Sequence, residues 1–195
     1  MNFGFDIEPV PGGDGDCATL YTYRIGGDTQ PAFDDFMNTP EITGAPDFNR
    51  LLVRLARIRD EIGLYDRRID HYPERWLRDE GDHASALWAP IPVEVRSQYP
   101  NPPPSLRLYC FRLDNHLHLD YDGNEQRRAP IIVLGNGGIK ETRQPCDKQA
   151  SRVCQAFRSI KYVRAQFDRG FDEKSIQIVE GGFELEGDLH FIPAY

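Results

Sequence analysis

Two apolar runs, 106–112 and 131–134, constrain this chain more than anything else in it. The first is Leu106-Arg107-Leu108-Tyr109-Cys110-Phe111-Arg112. Successive side chains of a strand point to opposite faces. Leu106, Leu108 and Cys110 therefore share one face, with Arg112 next in register, and Arg107, Tyr109 and Phe111 share the other. The second run, Ile131-Ile132-Val133-Leu134, meets Gly135-Asn136-Gly137-Gly138-Ile139-Lys140-Glu141-Thr142-Arg143. Asn136-Gly137 reads as a turn, because both residues tolerate positive φ. Such a turn presents Lys140 and Arg143 just past the end of a buried strand, where functional side chains are commonly held.

Around these strands the chain carries helix and hairpin signals. Residues 1–28 read as a hairpin: Phe3–Ile7, a Pro-Gly-Asp loop over 11–16, then Ala18–Ile25. Pro31–Asn38 fits a short helix with Thr29 as its cap. After Asp47, the residues Phe48, Leu51, Leu52, Leu55, Ile58 and Ile62 follow the spacing of an amphipathic helix, with Gly63 as its stop. Tyr72–Arg78 suggests a helical turn, and the prolines from Pro90 to Pro104 an extended connector. Asp114-Asn115 suggests a further turn. Asp147 can cap a helix running to about Gly170, with Val153, Phe157, Ile160, Val163 and Phe167 as its apolar stripe. The tail, from Lys174 to Ile192, reads as two or three short strands.

Composition narrows the function classes. A length of 195 residues suits one domain, or one and a small extension. The chain has no apolar run of about 18 residues and no basic-then-apolar leader, so a cytoplasmic protein with no membrane span is expected. Cys17, Cys110, Cys146 and Cys154 make no Cys-x-x-Cys pair and read as buried free thiols in that compartment. A net charge of −8 opposes nonspecific attraction to nucleic acid. From Arg127 to Arg169, however, ten Lys/Arg against three acids give +7, so the remainder carries −15. Either a basic site or a solvated basic helix face accounts for that segment.

Other site chemistries fit poorly. His116, His118 and Asp120 alternate onto one strand face and could ligate a metal, but a solvated face shows the same pattern and spacing supplies no further ligand. The Asp14/Asp16 loop lacks the ligand series of a calcium loop. Gly135-x-Gly137-Gly138 lacks the Lys-Ser/Thr placement of a phosphate loop. No cofactor and no metal are expected.

The order Arg107-Leu108-Tyr109-Cys110-Phe111, Ile131–Leu134, Gly138-Ile139-Lys140-Glu141-Thr142-Arg143, then Pro145 before a helix, resembles the core of the RelE/HigB-like toxins of bacterial toxin–antitoxin systems. It covers roughly a third of the chain. Glu141 stands where that family has a second Lys. The resemblance implies an α+β fold with a mixed or antiparallel sheet and packed helices. Its RelE-like core would span 105–195, with 1–104 as an N-terminal extension packed on it, or the whole would form one domain. It also implies metal-free cleavage of messenger RNA at the ribosome, neutralisation by an antitoxin partner, and a homo-oligomer as an open option. Lys140 and Arg143 would stabilise the charged phosphorane, Arg107 would grip phosphate, and Tyr109 would handle protons, or else His190, which has no counterpart in the family. The rival expectation is a non-catalytic interaction protein, phage- or defence-associated, that keeps the sheet as a scaffold.

Overall fold

The computed structural model describes residues 3–62, 77–81, 84–89, 97–98, 104–113, 118–119, 125–126, 131–141, 146, 151–179 and 184–192. In chain order the elements are β1 (Phe5–Asp14), β2 (Thr19–Ile25), α1 (Ala32–Asn38), α2 (Pro40–Thr43) and α3 (Phe48–Arg57), which continues as a π-helical turn over Ile58–Ile62. Then come β3 (Leu77–Gly81), β4 (Ala84–Trp88), β5 (Ser105–Leu113), β6 (His118–Leu119), β7 (Glu125–Gln126) and β8 (Ile131–Lys140). Helix α4 (Arg152–Asp172) and the short strands β9 (Ile176–Ile178), β10 (Leu185–Gly187) and β11 (His190–Phe191) complete the chain. The fold is α+β, as expected.

Seven strands form one mixed sheet in the order β11-β1-β2-β8-β5-β4-β3. Every neighbouring pair is antiparallel except β2 and β8, which run parallel with Thr19 opposite Ile131 and Thr22 opposite Leu134. Strands from both sides of residue 104 thus share one hydrogen-bonded sheet.

The alternation in β5 decides the layers. Tyr109, Phe111 and Leu113 join Tyr21, Tyr23, Ile131 and Val133 in a core closed by Val153, Ile160, Val163 and Phe167 of α4. Leu106, Leu108 and Cys110 join Leu20, Ile132 and Leu134 under Phe33, Phe36, Ile42, Phe48, Leu51 and Leu55 of α1–α3. Both faces of the central strands are therefore covered. Each fully buried Leu or Phe contributes about 2–3 kcal/mol of transfer free energy, which is what holds the helices down.

Several local expectations need correction. Asn136-Gly137 is not a turn but lies inside β8, where two residues, Gly135 and Asn136, bulge opposite Tyr109. Glycine within a strand commonly marks such a bulge or a close backbone approach. Thr29 does not cap α1: Pro31 precedes the helix without a side-chain cap, and Thr22 Oγ1 of β2 accepts from the Phe33 N–H at 3.1 Å. Leu77 and Arg78 belong to a strand paired with β4, because Leu77 finds Leu87 across the ladder. Cys146 and Cys154 are not free thiols but a disulfide. The expected turn at Asp114-Asn115 and the cap Asp147 lie outside the described residues.

Candidate functional site

Two of the four predicted site residues meet in the β5–β8 ladder. Arg107 stands opposite Gly138, and Ser105 opposite Lys140. Arg107 and Lys140 are therefore diagonal neighbours, about 7 Å apart along such a pair. By strand alternation both belong to the face covered by α4. A Cβ placed on Gly138 would touch Val153 at 3.3 Å, so this part of the face lies against the first turn of α4. Arg107 is buried at 8% exposure, while Lys140, at the strand end, is partly exposed.

Tyr109 is sealed off from solvent at 0% exposure. Its ring packs against Phe157 at 5.3 Å, and its hydroxyl lies 3.8 Å from Cys146 Sγ. It lies two residues along β5 from Arg107, on the same face by strand alternation. Arg143 and Lys148 lie outside the described residues, as do His116 and Asp120 of the weighed metal set. His190 does not reach Lys140. It sits on β11, three strand spacings or about 14 Å across the sheet from β8. There its Nδ1 pairs with Asp6 Oδ1, and that bond raises the imidazole pKa. Among the described residues, no group of three or more His, Cys, Asp or Glu is arranged to hold a metal.

Among the described residues of the basic segment, three arginines are committed to internal bonds. Arg152 Nη2 donates to Asp35 Oδ2 at 2.8 Å and to Thr39 Oγ1 at 2.7 Å. Arg158 Nη1 donates to the Cys146 carbonyl at 2.9 Å, and Arg164 Nη1 to the Arg112 carbonyl at 2.6 Å. Lys161 lies over the Phe157 ring, 5.3 Å from its centre. The three arginines tie α4 to its surroundings, so these charges act as scaffold.

A second feature was not visible in the sequence. The parallel pair β2 and β8 is followed by helices on opposite faces, α1 on one and α4 on the other. Open sheets form clefts at such switch points, beyond the carboxyl ends of the strands. Here a cleft of about 620 Å³ opens there, lined by Tyr23, Asp28, Gln30, Asp35, Asn38, Asn136, Arg152, Gln155 and Ser159 among others. Asp35 is its hinge point, accepting from Asn136 Nδ2 of β8 as well as from Arg152 of α4. Asn136 Oδ1 turns back to accept from the Gly137 N–H at 2.7 Å. Burial pushes the Tyr23 phenol pKa well up, the charge of Asp28 adds to this, and the hydrogen bond to the Asn136 backbone opposes it. Tyr23 therefore stays protonated across the physiological range and can act only as a neutral partner. The parallel β2–β8 ladder that builds this cleft joins residues more than 110 positions apart, a pairing that local pattern does not reveal.

No family model, curated protein or solved structure matches the chain. Among the described residues, no helix is long and apolar enough to cross a membrane.

Proposed function

We propose that this chain is a toxin-type protein of the RelE/HigB-like kind, acting on messenger RNA at the ribosome and held in check by an antitoxin. The observation that carries this reading is the diagonal pair Arg107 and Lys140 on adjacent antiparallel strands, followed by a long helix packed on the same face. It supports the reading because metal-free RNA cleavage needs concentrated positive charge on a rigid scaffold. The 2′-oxygen attacks phosphorus as its proton is removed, the phosphorane gathers negative charge, and the 5′-oxygen leaves with a proton. Lys140, with Arg143 three residues on, supplies that charge at the strand end. Arg107, largely buried next to Lys140 in the ladder, fixes the field rather than reaching far into solvent. Tyr109, on the same face of β5, is a positioning residue. The protein works in the cytoplasm in this reading.

The test is to induce the chain in a bacterial host and map the 5′ ends of messenger RNA on ribosomes. New ends within coding regions, appearing within minutes of induction, are expected. Unchanged ends with unchanged translation remove the reading.

A second reading draws on the cleft and on the first 47 residues, which hold nine acids against Arg24 alone. A non-catalytic interaction protein, phage- or defence-associated, would use that acidic surface to hold a basic protein partner. It predicts unchanged messenger RNA together with a stable, salt-sensitive complex.

A further inference from the structure

Cys146 and Cys154 are joined with their Cα atoms 4.7 Å apart, while Cys17 and Cys110 take no part in a disulfide. The bond sits where it can control the candidate site. Cys146 lies six residues after Lys140, in the connection between β8 and α4. Cys154 is the third residue of α4, inside its first turn. Two further contacts converge on Cys146: the Arg158 guanidinium donates to its carbonyl, and the Tyr109 hydroxyl lies against its sulfur. Cys110 is a contrast. It is buried within β5, and burial pushes its thiol pKa up to about 12.

We propose that Cys146–Cys154 is a reversible redox modification site that ties Cys146 to the first turn of α4, exchanging with small thiols of the glutathione class. The chemistry has a preferred direction. A glutathione thiolate attacks Cys146 Sγ, and the S–S bond breaks with its electrons leaving on Cys154 as a thiolate. A thiolate in the first turn of a helix is stabilised by the positive end of the helix dipole, and a lower-pKa thiol leaves faster. A second glutathione thiolate then attacks the glutathione sulfur of the mixed disulfide. Cys146 is released as a thiolate that takes up a proton, and glutathione disulfide departs. Overall two glutathiones are oxidised to one disulfide as two protein thiols form. Both cysteines are at least 95% buried, so exchange waits on local opening around the bond. In a reducing compartment disulfides of this kind are switches rather than staples. The consequence for Lys140 and Arg143 rests on the function proposed above. The bond and its reversibility do not.

The experiment uses the purified full chain equilibrated over glutathione to glutathione-disulfide ratios, then quenched, denatured and alkylated. Intact mass should pass from four alkyl groups to two in one two-electron step. Cys154→Ser should carry three alkyl groups once reduced and should lose the two-electron step. A Cys17→Ser/Cys110→Ser variant keeps the step and guards against misfolding of the first. Two groups, or four, at every ratio overturns the proposal. A redox step in a protein that leaves messenger RNA intact would keep the clamp and remove the proposed function.

Discussion

The carboxylate of Asp47 accepts a hydrogen bond from the Leu106 N–H at 2.9 Å, joining the start of α3 to the start of β5 across 59 residues. Asp47 is 2% exposed. Burial raises its pKa above the usual carboxylate value, while hydrogen bonds from the Leu106 and Asp47 backbones partly oppose the rise. Because the folded-state pKa is the higher one, the folded chain holds this proton more tightly than the unfolded chain. Ionisation therefore costs stability as pH rises through the folded pKa, and the cost is absent below the unfolded value. Asp47→Asn, which keeps an acceptor oxygen and drops the charge, should flatten that part of the pH–stability curve. Asp47→Ala strands the buried Leu106 N–H and should cost about 1–3 kcal/mol. Urea denaturation from pH 4 to 8 checks both.

The close approach at Gly137 gives a second prediction. A Cβ there would lie 1.9 Å from the Arg107 carbonyl oxygen and 2.8 Å from the Phe36 ring. The first contact is backbone and cannot rotate away. Gly137→Ala should therefore destabilise the fold by about 3 kcal/mol, the upper range for overpacking. A Gly12→Ala change should cost less. Gly12 has open space around it, and only its positive φ of 66° is strained. Thermal denaturation of the two variants side by side gives the comparison.

These two residues also mark what was legible in the sequence and what was not. The alternation of Leu106, Leu108 and Cys110 against Tyr109 and Phe111 was readable, because a period of two needs only neighbouring residues. The stripe from Val153 to Phe167 was readable for the same reason. Asn136-Gly137 misled, because the pair that suits a turn also suits a bulge, and only the partner strand chooses between them. Thr29 misled because the Thr22 hydroxyl, ten residues from α1 in sequence, reaches the helix first. The cleft at β2 and β8 depends on where distant segments dock, and the Cys146–Cys154 bond joins residues eight apart that match no Cys-x-x-Cys spacing. Neither leaves a local pattern. At the candidate site, the strand pattern places Arg107 and Tyr109 on one face, whereas the burial of Tyr109 is learned only from the packing of Phe157.

His190 supplies a prediction at the sheet edge. Its hydrogen bond to Asp6 holds the imidazole pKa above its ordinary value. A raised histidine pKa adds stability that is present in full at low pH and lost as pH rises through the folded value. Nuclear magnetic resonance titration of His190 should show that elevation, and Asp6→Asn should bring the midpoint back toward 6.5. Both groups are exposed, so the pair should weaken as salt is added.

Tyr109 separates positioning from proton transfer. With its hydroxyl enclosed against Cys146, Tyr109→Phe should leave any growth arrest within about threefold of wild type while keeping the ring contact with Phe157. Tyr109→Ala should cost about 3–5 kcal/mol through the cavity it opens. Growth curves for the first variant and denaturation of the second distinguish the two effects.

The central claim is that Lys140 and Arg143 carry an RNA-directed toxic activity. The most direct measurement is induced expression in a bacterial host, following growth and translation for wild type and for the Lys140→Ala/Arg143→Ala double variant at matched protein levels. The account predicts arrest of translation by the wild type and at least a hundredfold recovery of viable counts in the double variant. Equal arrest by both chains, or arrest by neither, would contradict it.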